Sequence, residues 1–174
     1  MNTETEAKEQ TKAPEIDPIK LQRLTQEIKD NQNLLSGTLA GVAAAVLGAG
    51  LWAVITAVTK YQIGWMAIGV GSLVGIAVRT FGRGTDRAFG IAGAASSVLG
   101  CLAGNLLAVC IMVSQQEKVP FSTVLSSLNP EVVTGLMKAT FNPMDLLFYG
   151  LAVYAGYRFS FRRTSAEELA KLTK

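Results

Sequence analysis

The chain has 174 residues, of which 49% are apolar and 17% charged, with two cysteines, no histidine and a net charge of only +3. This length suits one compact helical unit rather than several domains. The composition excludes most catalytic chemistry, because a histidine base and a cluster of His and Cys ligands are both missing. We expect no enzyme activity, no metal, no cofactor and no nucleic-acid partner.

The N-terminal region divides into a polar tail and a helix. Residues 1–16 are charged and nearly free of large apolar side chains, so we expect a disordered cytoplasmic tail. An amphipathic cytoplasmic helix is predicted over 17–36, where Asp17 is a suitable N-cap and Pro18 a first-turn residue. Its apolar stripe predicts a helix lying on the membrane surface or a short coiled segment that pairs with itself or with a partner. We favour the first, because two heptads are few for a coiled coil. The stripe consists of Leu21, Leu24, Ile28 and Leu35.

Four apolar runs follow, and each is typical of a helix that crosses a membrane. The first three contain no charged residue. The sequence therefore predicts an all-α, polytopic membrane protein whose four-helix transmembrane domain covers residues 37–160, followed by a cytoplasmic tail over 161–174. The predicted spans are 37–59, 61–78, 88–113 and 144–159. A tight link at Lys60, flanked by Trp52 and Trp65, is expected to join the first two spans.

The glycines indicate how these spans pack. Fourteen of the seventeen glycines lie within the four runs, although glycine costs roughly 1 kcal/mol relative to alanine in a helix exposed to water. In lipid, helices associate through close contact of small residues spaced four apart, and this spacing recurs here. A narrow pathway lined by glycine backbone is the alternative. The predicted packing residues are Gly41, Gly48, Ala67, Gly71, Gly75, Ser96, Gly100, Gly104 and Ala108.

The cations predict the orientation. Thirteen of the sixteen Lys and Arg residues lie in the two terminal regions and in the second connection, as the positive-inside rule requires for an even number of spans with both termini in the cytoplasm. The second connection, at 79–87, reads R-T-F-G-R-G-T-D-R and lacks the context of a phosphate-binding loop. We interpret its arginines and those near the C-terminus as contacts to lipid head groups. These residues are Arg79, Arg83, Arg87, Arg158, Arg162 and Arg163.

Between the third and fourth spans the pattern predicts two short helices, over 120–128 and 130–139. Each begins at a proline and carries its apolar residues on one face. Because neither is long enough to span, we expect both to lie in the outer membrane interface, as a lid or as a shield over the helix ends.

One polar residue stands out at membrane depth. Asn105 lies in the third span, toward its outer end, and Asp145 and Tyr149 begin the fourth. We predict a small polar cluster of these three side chains. Its simplest role is an interhelical hydrogen bond that orients the two spans, worth about 0.6 to 2 kcal/mol.

Two segments resemble a group of small, uncharacterised bacterial four-helix membrane proteins. The first, at 64–79, reads G-W-M-A-I-G-V-G-S-L-V-G-I-A-V-R, and the second, at 143–160, reads P-M-D-L-L-F-Y-G-L-A-V-Y-A-G-Y-R-F-S. The resemblance rests on glycine and aromatic spacing. It implies a four-helix unit in a bacterial cytoplasmic membrane and implies no activity, cofactor or binding residue.

The sequence contains no motif that identifies a reaction or a solute. We expect a structural, assembly or accessory subunit that binds membrane lipids and packs with itself or with a partner membrane protein. The alternative is a small channel or transporter subunit that forms a pore on oligomerisation. Its path would be lined by Ser72, Ser96, Ser97 and Asn105.

Overall fold

A computed structural model describes residues 17–61 and 63–162. The predictions for residues 1–16, for Arg163 and for the rest of the C-terminal tail lie outside these ranges. The described chain is all-helical. Its helices are α1 (Pro18–Asp30), α2 (Leu34–Thr59), α3 (Met66–Gly82), α4 (Arg87–Glu117), α5 (Phe121–Ser126), α6 (Pro130–Thr140) and α7 (Pro143–Phe159).

The helix α1 belongs to one compact unit of the chain, and residues 32–162 form the other. As expected, Asp17 is the N-cap of α1, and its carboxylate accepts a hydrogen bond of 3.0 Å from the Ile19 N–H. The helix is shorter than the predicted 17–36. It stops at Asp30, where the Asn31 amide donates to the Glu27 carbonyl at 2.8 Å, so the apolar stripe of α1 ends within the helix at Ile28.

A second helix begins immediately afterwards, because Asn33 caps it. The Asn33 side chain accepts a hydrogen bond of 3.0 Å from the Ser36 N–H, and α2 starts at Leu34, earlier than the predicted 37. An asparagine that bonds the backbone in this way favours the start of a helix over its continuation. Leu35 therefore belongs to α2 rather than to α1.

The other predicted spans keep their order but change their limits. At the second predicted span, 61–78, the helix α3 begins only at Met66, and the preceding helix ends at Thr59, so the two are not joined by a tight link at Lys60 alone. The helix continues through Arg79 and ends where Arg83 adopts a left-handed conformation with φ of 51°. The third span, predicted at 88–113, runs on to Glu117. The fourth, predicted at 144–159, begins at Pro143.

The two short helices of the long connection lie near their predicted positions, with α5 shorter than 120–128 and α6 one residue longer than 130–139. Pro120 precedes α5 as its N-cap instead of occupying its first turn. Pro130 does open α6, and the Asn129 side chain caps that helix by accepting from the Val132 N–H at 2.8 Å. Both helices contact α4.

The four long helices form a bundle in which each neighbours the next. The helix α2 contacts α3 and α4, α7 also contacts α3 and α4, and α3 meets α4 across the centre, while α2 and α7 do not touch. Two of them, α2 and α4, are long and apolar enough to cross a membrane, and α3 is apolar but has only 17 residues.

Large and small side chains are distributed in the reverse of a water-soluble core. The buried apolar residues of the bundle are mostly alanine and valine, together with many of the glycines. The large aliphatic side chains point outward. On α2, Leu35, Leu39, Leu47 and Leu51 are between 55% and 70% exposed. The outer surface of the bundle is therefore largely apolar.

Candidate functional site

The first candidate feature is the seam between α2 and α4, which run parallel. Gly41 lies against Ser96 near one end, and Gly104 lies against Ala49 nearer the other. A Cβ added at Gly100 would lie 3.2 Å from the Ala45 Cα, so the two backbones touch where side chains are missing. This is the parallel small-residue packing that stabilises helix pairs in lipid.

A second parallel seam joins α3 and α7. A Cβ at Gly71 would lie 2.8 Å from the carbonyl carbon of Ala152, and one at Gly75 would lie 3.0 Å from the Gly156 carbonyl oxygen. At Gly71 the nearest atoms are all backbone, and at Gly75 they are the Phe159 Cβ and two backbone carbonyl oxygens, none of which can rotate away as the end of a side chain can. The two helices can therefore pack this closely only with glycine at these positions.

Valines of α3 fill the notches that the glycines of the other helices leave. Val70 lies against both Gly48 of α2 and Gly100 of α4, and Val78 lies against Gly41. Val70 and Val78 are at most 3% exposed. A β-branched side chain suits this role because its rotamer is already restricted, so burial costs little additional entropy.

The nine residues that the sequence predicts for packing are all buried. Gly41, Gly48, Gly71, Gly75, Gly100 and Gly104 face neighbouring helices, and Ala67, Ser96 and Ala108 are at most 3% exposed. Other glycines do not share this environment. Gly50 and Gly69, both within predicted spans, have open space where a Cβ would lie.

Of the predicted polar cluster, Asn105 and Asp145 both lie close enough to Tyr149 to interact with its hydroxyl. Asn105 is 1% exposed, and its side chain lies within reach of the Tyr149 hydroxyl, although that hydroxyl forms no hydrogen bond of good geometry within the described chain. Asp145 also caps its own helix. Its carboxylate accepts from the Asn142 N–H at 2.9 Å, in a capping box that begins α7.

Two buried polar groups in the same half of the bundle escaped the sequence analysis. Trp52, noted in the sequence only as flanking the link at Lys60, is 2% exposed, and its ring packs against Gly104, the neighbour of Asn105. Thr56 lies one turn further along α2 and is 1% exposed. Neither the Trp52 indole N–H nor the Thr56 hydroxyl has a hydrogen-bond partner in the described chain. The burial of Trp52 could have been predicted from Gly104, which leaves room for the tryptophan ring, but only if the alignment of α2 with α4 were known.

The serines of the predicted pore face different neighbours. Ser96 lies against Gly41 of α2, whereas Ser97 lies against Gly156 of α7 and donates to the Gly93 carbonyl at 2.7 Å. Ser72 is half-buried on α3. Within one copy of the chain these hydroxyls belong to separate helix contacts.

The cationic end of the bundle is held together by its backbone. The Asn33 N–H donates to the Gly82 carbonyl at 2.9 Å, and the Arg162 N–H donates to the Gly84 carbonyl at 2.9 Å. The Gln32 amide donates to the Asp86 carboxylate at 2.9 Å. These bonds tie the start of α2, the connection between α3 and α4 and the chain after α7 to one end of the unit.

The predicted lipid-contact arginines gather at this end. Arg79 closes the last turn of α3, Arg83 and Arg87 flank the connection, and Arg158 lies in the last turn of α7. Arg83, Arg87 and Arg158 are exposed, whereas Arg79 and Arg162 are partly buried.

The described residues contain no cluster of metal ligands. Over residues 17–61 and 63–162, His, Cys, Asp and Glu do not gather in any group of three that could hold an ion. The two cysteines are both free and buried on α4, and the Cys101 thiol donates to the Ala67 carbonyl at 3.7 Å.

No protein-family model matches this chain, and neither a curated protein nor a solved structure resembles it closely enough to indicate a family. The resemblance to small bacterial membrane proteins therefore stays a prediction.

Proposed function

We propose that this protein is a non-enzymatic integral membrane protein whose four long helices cross the bilayer, with both termini in the cytoplasm. It acts as a structural, assembly or accessory subunit that packs with itself or with a partner membrane protein. In line with the resemblance noted above, the membrane proposed is the cytoplasmic membrane of a bacterium.

One observation carries the proposal: small residues fill the interior and large aliphatic residues cover the outside. Burial of apolar surface drives folding in water, so a soluble bundle places its leucines inside. In lipid that driving force between helices is absent, and close contact of small residues replaces it. On α2, Gly41 and Ala45 face neighbouring helices while Leu39 and Leu47 are more than 60% exposed.

The helix lengths fit a bilayer with one local adjustment. At about 1.5 Å per residue, the 26 residues of α2 cover about 39 Å and the 31 of α4 about 46 Å, more than the hydrocarbon core. The 17 residues of α3 and of α7 cover about 26 Å. Since α3 and α7 are neighbours, the proposal implies that the bilayer is thinner on their side of the bundle.

The location of the arginines supports the proposed orientation. The connection between α3 and α4 lies at the same end of the bundle as the start of α2 and the chain after α7. The positive-inside rule assigns such an end to the cytoplasm. The other end, beside α5 and α6, carries Lys60, Lys118 and Lys138 as its only cations in the described chain.

Cysteine labelling in intact cells tests the crossings and the orientation. Thr85→Cys places a thiol at the arginine-rich end, and Ser127→Cys places one beyond α5. Both residues are exposed, and wild type is the control because its two cysteines are buried. A maleimide that cannot cross membranes should label Ser127→Cys in intact cells and Thr85→Cys only after permeabilisation. Labelling of both variants in intact cells would refute the topology.

A second experiment tests the subunit role. The full chain is purified in nanodiscs, and the mass of the assembly and any co-purifying chains are measured. A discrete partner or a defined oligomer without conductance in liposomes supports a structural subunit. Conductance of a closed homo-oligomer would favour the channel alternative and overturn the proposal.

A further inference from the structure

An apolar groove runs along the outside of the seam between α2 and α3. Its floor is alanine, including Ala40, Ala43 and Ala77, and its walls are Leu39 and Leu73, among other large side chains. The groove encloses about 720 Å³. The groove forms because α2 and α3 meet through glycine. The alanines beside that contact are too small to fill the space between the larger side chains of the walls.

The groove has the length of one leaflet. It extends along α2 from Asn33 to Leu47, which at about 1.5 Å per residue is about 21 Å. Half of a hydrocarbon core is about 15 Å, with the head-group region beyond it. A single acyl chain with its head group fits this span.

The open end of the groove is polar and lies beside arginine. Asn33 and Ser36 line that end together with Phe81 of α3. The Asn33 N–H bonds the Gly82 carbonyl, and the next residue, Arg83, is exposed. The nearby carboxylate of Asp86 accepts a hydrogen bond from the Gln32 amide, and no carboxylate of the described residues forms an ion pair with Arg83.

We propose that this groove binds one acyl chain of an anionic phospholipid from the cytoplasmic leaflet, whose phosphate lies beside Arg83. The inference rests on the membrane placement proposed above. The apolar groove would bind the acyl chain, and Arg83 near its polar end would favour an anionic head group.

A second notch provides a matched control. It lies between α2 and α4, encloses about 240 Å³, and is lined by Val46, Leu99 and Ala103, among others. Neither cavity has a cation among its lining residues, but the second lies midway along both helices, away from the arginines at the helix ends. A chain held there would have no reason to prefer an anionic lipid. Filling this notch should therefore leave the proposed site intact.

The test uses the full chain in a mixture of phosphatidylglycerol and phosphatidylcholine with identical acyl chains, and native mass spectrometry counts the lipids that stay bound. Wild type should retain one phosphatidylglycerol in preference to phosphatidylcholine. Ala43→Phe fills the groove from α2, and Ala77→Phe fills it from α3. Each should abolish the retained lipid, whereas Ala103→Phe in the second notch should not.

Substitution of the cation separates the head group from the chain. Arg83→Gln should lower the preference for phosphatidylglycerol about fivefold, while phosphatidylcholine still binds. Retention of phosphatidylglycerol at the wild-type level by both Ala43→Phe and Ala77→Phe, or an unchanged preference in Arg83→Gln, would overturn the inference. Each variant is checked for wild-type helical content by circular dichroism. Because the two substitutions lie on different helices, misfolding of one variant does not leave the inference untested.

Extraction with alkaline carbonate distinguishes failure of the inference from failure of the proposed function. If wild type stays in the membrane fraction but shows no lipid preference, only the groove assignment fails. If wild type is released as a soluble protein, the membrane placement itself fails.

Discussion

Replacement of two glycines on the same helix tests the packing account most sharply. Gly69 and Gly71 both lie in α3, two positions apart, and on different faces. A Cβ at Gly69 would meet open space, whereas one at Gly71 would lie 2.8 Å from the Ala152 backbone. Both substitutions to alanine gain the same helix propensity, so the difference between them isolates the contact with α7.

The magnitude follows from two opposing effects. Alanine is worth up to about 1 kcal/mol over glycine in a helix interior. Forcing an extra carbon into a packed core costs typically about 1 to 3 kcal/mol, and here the obstacle is backbone. Gly69→Ala should therefore be neutral or stabilising by up to about 1 kcal/mol. Gly71→Ala should be less stable than Gly69→Ala by about 1 to 3 kcal/mol.

The assay is reversible unfolding of the full chain in mixed micelles with increasing dodecyl sulfate, followed by circular dichroism. Both variants and wild type are measured at the same detergent composition. If Gly71→Ala is as stable as Gly69→Ala, then α3 and α7 do not approach at this point, and the reasoning about the seam is wrong.

Three further variants can be measured by the same unfolding assay. Thr56→Val removes a buried hydroxyl that has no partner in the described chain, so it should stabilise the protein by roughly 1 kcal/mol. Thr80→Val is the control, because the Thr80 hydroxyl donates to the Ile76 carbonyl at 2.8 Å, and it should give no such gain in stability. Lys118→Gly should also stabilise by about 1 kcal/mol, because Lys118 ends α4 with a φ of 54° that glycine adopts without strain, and an unchanged midpoint would contradict this. Asn105→Leu should lower the free energy of unfolding by about 1 kcal/mol. A double-mutant cycle with Tyr149→Phe should give a coupling energy of about 0.6 kcal/mol or more. Additive effects of the two substitutions would mean that the two side chains do not interact.

The sequence predicts the long helices well because long apolar runs are strong signals, but it predicts their limits poorly. Arg79 was predicted to be the first residue of the connection, yet a long side chain can extend from the end of an apolar helix to water, so α3 continues to Gly82. In the N-terminal region, the apolar stripe indicated one helix through Leu35. The side chain of Asn33 instead bonds the backbone and begins a new helix.

Contacts between helices were harder to predict than the helices themselves. Small residues four apart identify a face that can pack, and Gly71 and Gly100 do face other helices. The partner of each face depends on an alignment between distant segments, which local spacing does not encode. Trp52 illustrates this: it and Trp65 are both tryptophans near the same connection, yet Trp52 is 2% exposed and Trp65 is 71% exposed. Trp52 lies within α2 and faces Gly104 of α4, whereas Trp65 lies in the connection as the N-cap residue of α3.

Fluorescence quenching by phospholipids with brominated acyl chains tests the central claim most directly, namely that the aliphatic outer surface of the bundle faces lipid. Two single-tryptophan proteins are compared: one keeps Trp52, and the other carries Leu47→Trp together with Trp52→Phe, with Trp65→Phe in both. Leu47 is 70% exposed and Trp52 is 2% exposed. The account predicts strong quenching of the tryptophan at position 47 and weak quenching of Trp52. Equal quenching at the two positions, or none at position 47, would contradict it.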